Sequence, residues 1–277
     1  MDDAAPSSPF ARVERVERTG STNTDLRAAA AADPGAWPHL SVLVARSQEA
    51  GKGRAGRAWV TPAGTALTAS VLLRPRVPPA RLPWVTLLAG LALHRACATL
   101  APGVPTGLKW PNDLLALGVG EELDGWGRDR KLAGILTEAL PPAPPPGRPG
   151  AAVVLGVGLN VAQDRAQLPV PWATSLRILG SAAAPSDALD ALGRELAAVL
   201  RRWEEADGDA ESSGLADDVR AASTTLGRQV SVELPGGEII QGRADDLGPD
   251  GHLLVTTTEG ATVTVAAGDV LHVRVPG

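Results

Sequence analysis

The chain has 277 residues, 44% apolar and 21% charged, enough for one large domain or a medium domain with a small one around a packed core. A net charge of −5 and a pI near 5.4 offer no basic footprint for nucleic acid. The single cysteine, Cys97, excludes an intrachain disulfide and suits a reducing compartment.

Taken in chain order, residues 1–11 read as a loose tail, acidic and too poor in apolar residues to serve as a secretory signal. A helix is expected over the run TNTDLRAAAAA, with Ser21 or Thr22 as N-cap and Pro34 past its end. SVLVAR (41–46) reads as a buried strand. After a glycine-rich segment, TALTASVLLRP (65–75) reads as a strand with β-branched alternation. Pro83 to Leu100 reads as a long helix. The apolar stretch from Trp84 to Ala98, interrupted by His94 and Arg95, is too short to span a bilayer. These features predict a cytoplasmic protein with no membrane or nucleic-acid partner.

GLKWPNDLLAL (107–117) is expected to form two short strands around a turn, followed by a polar, Gly-rich loop. KLAGILTEAL (131–140) and AAVVLGVGLNV (151–161) read as strands joined by the Pro-rich connector PPAPPPGRPG. Two helices follow, from Ser186 to about Glu205 and near 211–223. The last 50 or so residues hold short strands with turns at Pro235-Gly236-Gly237 and Asp250-Gly251, the pattern of a small all-β barrel. The boundaries predicted are 1–11 for the tail, 12–225 for the large domain and 226–277 for the small one.

Of the 26 basic Lys and Arg residues only three are lysines, Lys52, Lys109 and Lys131, and the chain has three asparagines, Asn23, Asn112 and Asn160. In an arginine-rich chain a retained lysine marks a place for a compact point charge that a planar guanidinium does not replace. All six fall in five short segments.

Gly51 to Arg57 matches G-x-G-x-x-G by letter, but the residues after it read as strand, not helix, and a Walker loop would need a hydroxyl after its lysine. What remains is a loop rich in backbone N–H groups and cations, Lys52, Arg54 and Arg57, able to approach an anion. A solvated basic turn is the plainer reading. Lys109-Trp110-Pro111-Asn112-Asp113 offers an indole, an amide and a carboxylate, suited to a purine stack and a phosphate contact, or else a buried Trp with an Asx turn. Strand alternation places Lys131, Ala133, Ile135 and Thr137 on one face and Leu132, Gly134, Leu136 and Glu138 on the other, with Gly134 leaving space against the sheet. In Gly156-Val157-Gly158-Leu159-Asn160 the strand glycines imply close approach by a ligand or another backbone, or a bulged strand. Together the segments describe an anion-binding, nucleotide-capable site.

In this order, Ser21-Thr22-Asn23, Gln48 to Trp59, Lys109 to Asp113, Lys131 to Glu138 and Gly156 to Asn160 closely resemble the biotin–protein ligase catalytic domain. The resemblance covers roughly residues 13–275. It implies an α+β fold: a mixed-sheet catalytic domain related to class II aminoacyl-tRNA synthetases, followed by an SH3-like domain. It implies biotin contacts at Ser21, Thr22, Asn23, Gln48, Gly51, Lys52, Gly53, Arg54, Trp59, Lys131 and Gly134. It implies ATP contacts at Arg54, Arg57, Trp110, Asn112, Asp113, Lys131 and Asn160, with Mg2+ carried by ATP. Lys131 and Arg54 are the implied catalytic cations, and the implied partner is the apo biotin carboxyl carrier domain of a carboxylase.

Lys52 stands where the family has its first loop Arg. The 114–130 stretch is longer than in compact members and carries Trp126. Only about 12 residues precede the catalytic domain, so no DNA-binding winged helix is expected. The alternatives are a lipoate or octanoyl ligase or transferase of the same fold, and a non-catalytic biotin sensor.

Overall fold

The computed structural model describes residues 8–140, 152–266 and 268–272; the Pro-rich connector and the end of the last expected strand lie outside them. Seven strands build the large sheet: β1 (Arg12–Thr19), β2 (Ser41–Gln48), β3 (Ala66–Leu73), β4 (Thr106–Lys109), β5 (Asp113–Ala116), β6 (Arg130–Ala139) and β7 (Val153–Asn160). Their order is β1-β2-β3-β7-β6-β5-β4, with β1 and β2 parallel and every other neighbour antiparallel.

One face of this sheet is fully covered. Helix α2 (Trp84–Leu100) and helix α3 (Pro185–Glu205) lie on it and bury Leu67, Val71, Leu155, Val157 and Ile135 in the main core. On the other face, α1 (Thr22–Ala32) buries Leu26 and Ala30 on Leu43, Leu72 and Val154. With both faces covered, every residue of β3 is buried, including the polar Thr68 and Ser70; the expected alternation is absent for that reason. Beyond α1 the same sheet face is open and becomes the floor of a cavity.

The first residues differ from the expected tail. Residues 1–7 lie outside the described range, but Phe10 is 5% exposed and its ring rests on Gly193 of α3, where a Cβ would lie 2.6 Å from it.

Helix α4 (Leu215–Ala222) leads to a second sheet formed by β8 (Gln229–Glu233), β9 (Ile239–Leu247), β10 (Leu253–Thr257), β11 (Thr262–Val265) and β12 (Asp269–His272). It is antiparallel, in the order β11-β10-β9-β8-β12. It is tied to the large domain through its 248–251 turn. The indole N–H of Trp84 donates to Pro249 O at 2.9 Å and that of Trp110 to Gly251 O at 3.2 Å. Arg220 of α4 pairs with Asp246 of β9 at 2.7 Å and also with Glu211 and Asp217, and these carboxylates raise its pKa.

Candidate active site

Strand β7 lays out the cavity floor. Its open face presents Val154, Gly156, Gly158 and Asn160 in turn. Val154 is covered by α1, and each later position supports a different group. The cavity above holds about 450 Å³ and is lined by all the residues named from the sequence except Gly51, which lies buried behind the wall.

At Gly156 the group is Asn23. A Cβ there would lie 2.4 Å from Asn23 Oδ1, so only glycine admits the amide. Asn23 Nδ2 donates to Leu136 O at 3.2 Å and Glu138 Oε2 at 2.8 Å, and its Oδ1 lies 2.6 Å from Ser70 Oγ. The amide therefore fastens the start of α1 to the sheet. Next to it, Gln48 Oε1 accepts from the N–H of Thr22 at 2.8 Å and from its hydroxyl at 2.9 Å, and Ser70 Oγ is 2.7 Å from Thr22 Oγ1. Ser21 is the N-cap of α1 and makes no side-chain cap bond. Ser70, which braces this end, was not singled out by sequence because it sits inside an apolar run and carries no motif of its own, and Glu138 closed a motif without being given a role.

At Gly158 the group is Trp59. A Cβ on Gly158 would meet the indole at 2.3 Å and one on Gly134, its partner across β6, at 3.1 Å. The strand glycines thus accommodate side chains of the protein, Asn23 and Trp59, where a ligand or another backbone was expected. Lys131 lies here too. Its Nζ is 2.7 Å from Asp113 Oδ1 and 5.7 Å from the centre of the Trp59 ring.

The face assignment of β6 needs correction. Ala133 pairs with Leu114 and Lys131 with Leu115, so β6 has one extra residue at this point. This bulge breaks the two-residue alternation. Lys131 consequently shares a face with Gly134, whose Cβ position is 3.4 Å from its Nζ, whereas Ile135 and Thr137 face α2.

At the Asn160 end, Asn160 Nδ2 donates to Thr174 O at 2.9 Å and Gln163 Nε2 to Asn160 Oδ1 at 3.1 Å. Asn112 Nδ2 donates to Ile135 O at 2.9 Å, and Trp110 is 5% exposed. Sequence reading missed Trp172 and gave Trp126 no role. The two indoles stack here, with centroids 5.8 Å apart and planes at 10°, and Lys109 Nζ lies 4.5 Å over the Trp126 ring.

The glycine-rich loop roofs the cavity. It is a tight hairpin, with Trp59 N–H donating to Gly51 O at 2.8 Å and Gly53 N–H to Arg57 O at 2.7 Å. Ala55 and Gly56 turn it through left-handed conformations, φ 51° and 72°. Lys52 donates to Thr24 Oγ1 at 2.9 Å and is exposed, while Arg54 and Arg57 face the cavity.

The sequence profile of the biotin/lipoate A/B protein ligase family matches residues 16–160, and that of the biotin protein ligase C-terminal domain matches 225–273. The chain is 42% identical over 271 residues to the biotin–[acetyl-CoA-carboxylase] ligase of Mycobacterium tuberculosis, spanning 96% of this chain and 91% of that protein. The chain belongs to the biotin protein ligase family. A ligase of the same name from Paracoccus denitrificans is 33% identical over 68% of this chain and 70% of its own length. The biotin protein ligase of Aquifex aeolicus, solved in complex with biotin and ATP, superposes with a TM-score of 0.72 at 24% identity, covering 96% and 100% of the two chains, a likeness of fold. Among the described residues, no helix is long and apolar enough to cross a membrane.

Proposed function

We propose that this ligase joins biotin to ATP as biotinyl-5′-AMP and then transfers biotin to a lysine of a carboxylase's biotin carboxyl carrier domain. The observation that carries the reading is the position of Lys131. Its ammonium lies beside Gly134, which pairs with Gly158, the β7 position between Gly156, where Asn23 sits, and Asn160.

In the first step a biotin carboxylate oxygen attacks the α-phosphorus, and the bond to pyrophosphate breaks. In the second, the carrier amine attacks the acyl carbon, the bond to AMP breaks and the amine sheds a proton. Carboxylate and α-phosphate repel one another, so a cation placed between them lowers the barrier. Asp113 holds the Lys131 ammonium ready, and Arg54 on the roof supplies a second charge. Ser21, Thr22, Gln48 and the loop backbone at Lys52 and Gly53 take the ureido and thiophane end against Trp59 and Gly134; Asn23 and Gly51 shape that pocket from behind. Arg57, Trp110, Asn112, Asp113 and Asn160 border the nucleotide. The hairpin roof excludes water from the mixed anhydride.

Mg2+ enters as the triphosphate's counterion. The donor set fits that mode of entry: Asp113 is the carboxylate among the residues that line the cavity, a hard oxygen ligand available beside the phosphates. Bound there, it would neutralise phosphate charge. Burial pushes the Cys97 thiol pKa up to about 12, so it stays protonated and unreactive. The test is pyrophosphate exchange into ATP with biotin, lipoate or octanoate as acid. Exchange with biotin alone is expected; exchange driven by lipoate would refute the reading.

A further inference from the structure

Of the seven tryptophans, Trp37, Trp84, Trp110 and Trp203 are at most 7% exposed. Trp59, Trp126 and Trp172 are only partly buried, and all three line the cavity. A tryptophan serving stability alone would be expected in the core. Trp59 has a place in the reading above. Trp126, on the long 118–130 segment, does not.

That segment is firmly built. Arg130 is 8% exposed and donates to the carbonyls of Glu121 at 2.5 Å, Gly127 at 2.9 Å and Asp129 at 2.8 Å. The N–H of Gly118 donates to Asp129 Oδ1 at 3.0 Å, and a turn from Leu123 to Gly127 closes the tip. Trp126 sits on that turn with one face on Trp172 and the ammonium of Lys109 over its ring. Lys109 is 9% exposed and lines the cavity. An ammonium so far out of water loses hydration, and the negative face of an indole returns part of it while fixing the direction of a flexible four-carbon stem. The stack in turn fixes the Trp172 plane.

We propose that Trp126 is a positioning residue for the nucleotide, acting through Lys109 and Trp172 to hold a charge and a flat wall at the end of the cavity where a purine nucleoside triphosphate binds. This rests on the ligase reading.

The test is titration calorimetry with Mg·ATP and, separately, with biotin, together with steady-state kinetics, on the wild type and Trp126→Ala, Trp126→Leu and Trp126→Phe. Loss of one cation–π contact and one stack should weaken ATP binding about tenfold in the Ala and Leu variants. The KM for ATP should rise in step, with kcat and the KM for biotin within about twofold, and Phe should recover most of the loss. Lys109→Met should raise the ATP Kd, and combining it with Trp126→Ala should add less than the two separate losses. Unchanged ATP binding in the Ala and Leu variants, parallel losses for biotin and ATP, or simple additivity with Lys109→Met would overturn the assignment. A wild type that binds neither ATP nor biotin would overturn the ligase reading and this inference with it.

Discussion

Lys131 runs flat across Gly134 to reach Asp113, with 3.4 Å between its Nζ and the position a Gly134 Cβ would take. A guanidinium is wider and planar, so Lys131→Arg should keep the charge and lose its placement. We expect Lys131→Ala to slow adenylation by roughly 100- to 1000-fold and Lys131→Arg to recover little of that. Pyrophosphate release at saturating substrates, with thermal unfolding as control, checks this; near wild-type turnover in either variant removes Lys131 from the chemistry. A second residue-scale expectation concerns pH. The N–H of Arg74 donates to His39 Nδ1 at 2.9 Å, so that nitrogen must be unprotonated, and burial holds the His39 pKa below its ordinary 6.5. Burial does the same to His94, whose Nδ1 bonds Thr106 at 2.8 Å. The folded pKa values lie below the unfolded ones, so the folded state favours neutral rings. Their stabilising contribution is whole above about pH 6.5 and is lost as pH falls from there towards the folded values. Tm should therefore decline on acidification through pH 6, and less steeply in His39→Asn, whose amide oxygen can still accept the Arg74 N–H. An equal slope in that variant would contradict the assignment.

Among the elements, β7 carries the most consequence per residue. Its two glycines are sockets for Asn23 and Trp59. Gly158→Ala places a methyl 2.3 Å from the Trp59 indole and must expel it from the sheet. Destabilisation of about 1–3 kcal/mol is expected, along with weaker biotin binding. At Gly20, where a Cβ meets nothing within 4 Å, alanine should change stability by less than about 0.5 kcal/mol. Equal unfolding midpoints for the two variants would rule out the socket. This strand also shows how far sequence reaches. Its glycine spacing announced a close approach, and all six retained lysines and asparagines do line the cavity, but all three asparagines commit amide groups to bracing the protein itself. Which body approaches was not legible, because Asn23, Trp59 and β7 meet only in the folded chain. Alternation along β6 failed at Lys131 because a bulge leaves no reliable trace in residue type. The Trp126–Trp172 stack joins two loops 46 positions apart and has no local pattern at all.

At the scale of the molecule, the small C-terminal sheet is fastened to the wall of the site. Trp110 lines the cavity and its N–H donates to Gly251 O, so the turn at 248–251 and the nucleotide end share one side chain. The coarse plan, a large α+β unit followed by a short all-β one, was legible from strand spacing and turn residues, while this tie was not. The account as a whole stands on the two-step transfer, and intact mass spectrometry tests it most directly. The full chain is incubated with biotin, Mg·ATP and an apo biotin carboxyl carrier domain, with parallel reactions lacking ATP, substituting lipoate for biotin, or using a carrier whose target lysine is replaced by arginine. The account predicts that the carrier gains the mass of one biotinyl group only with biotin, ATP and the intact lysine together. A carrier that stays unmodified in that reaction, or that gains a lipoyl group as readily, would contradict it.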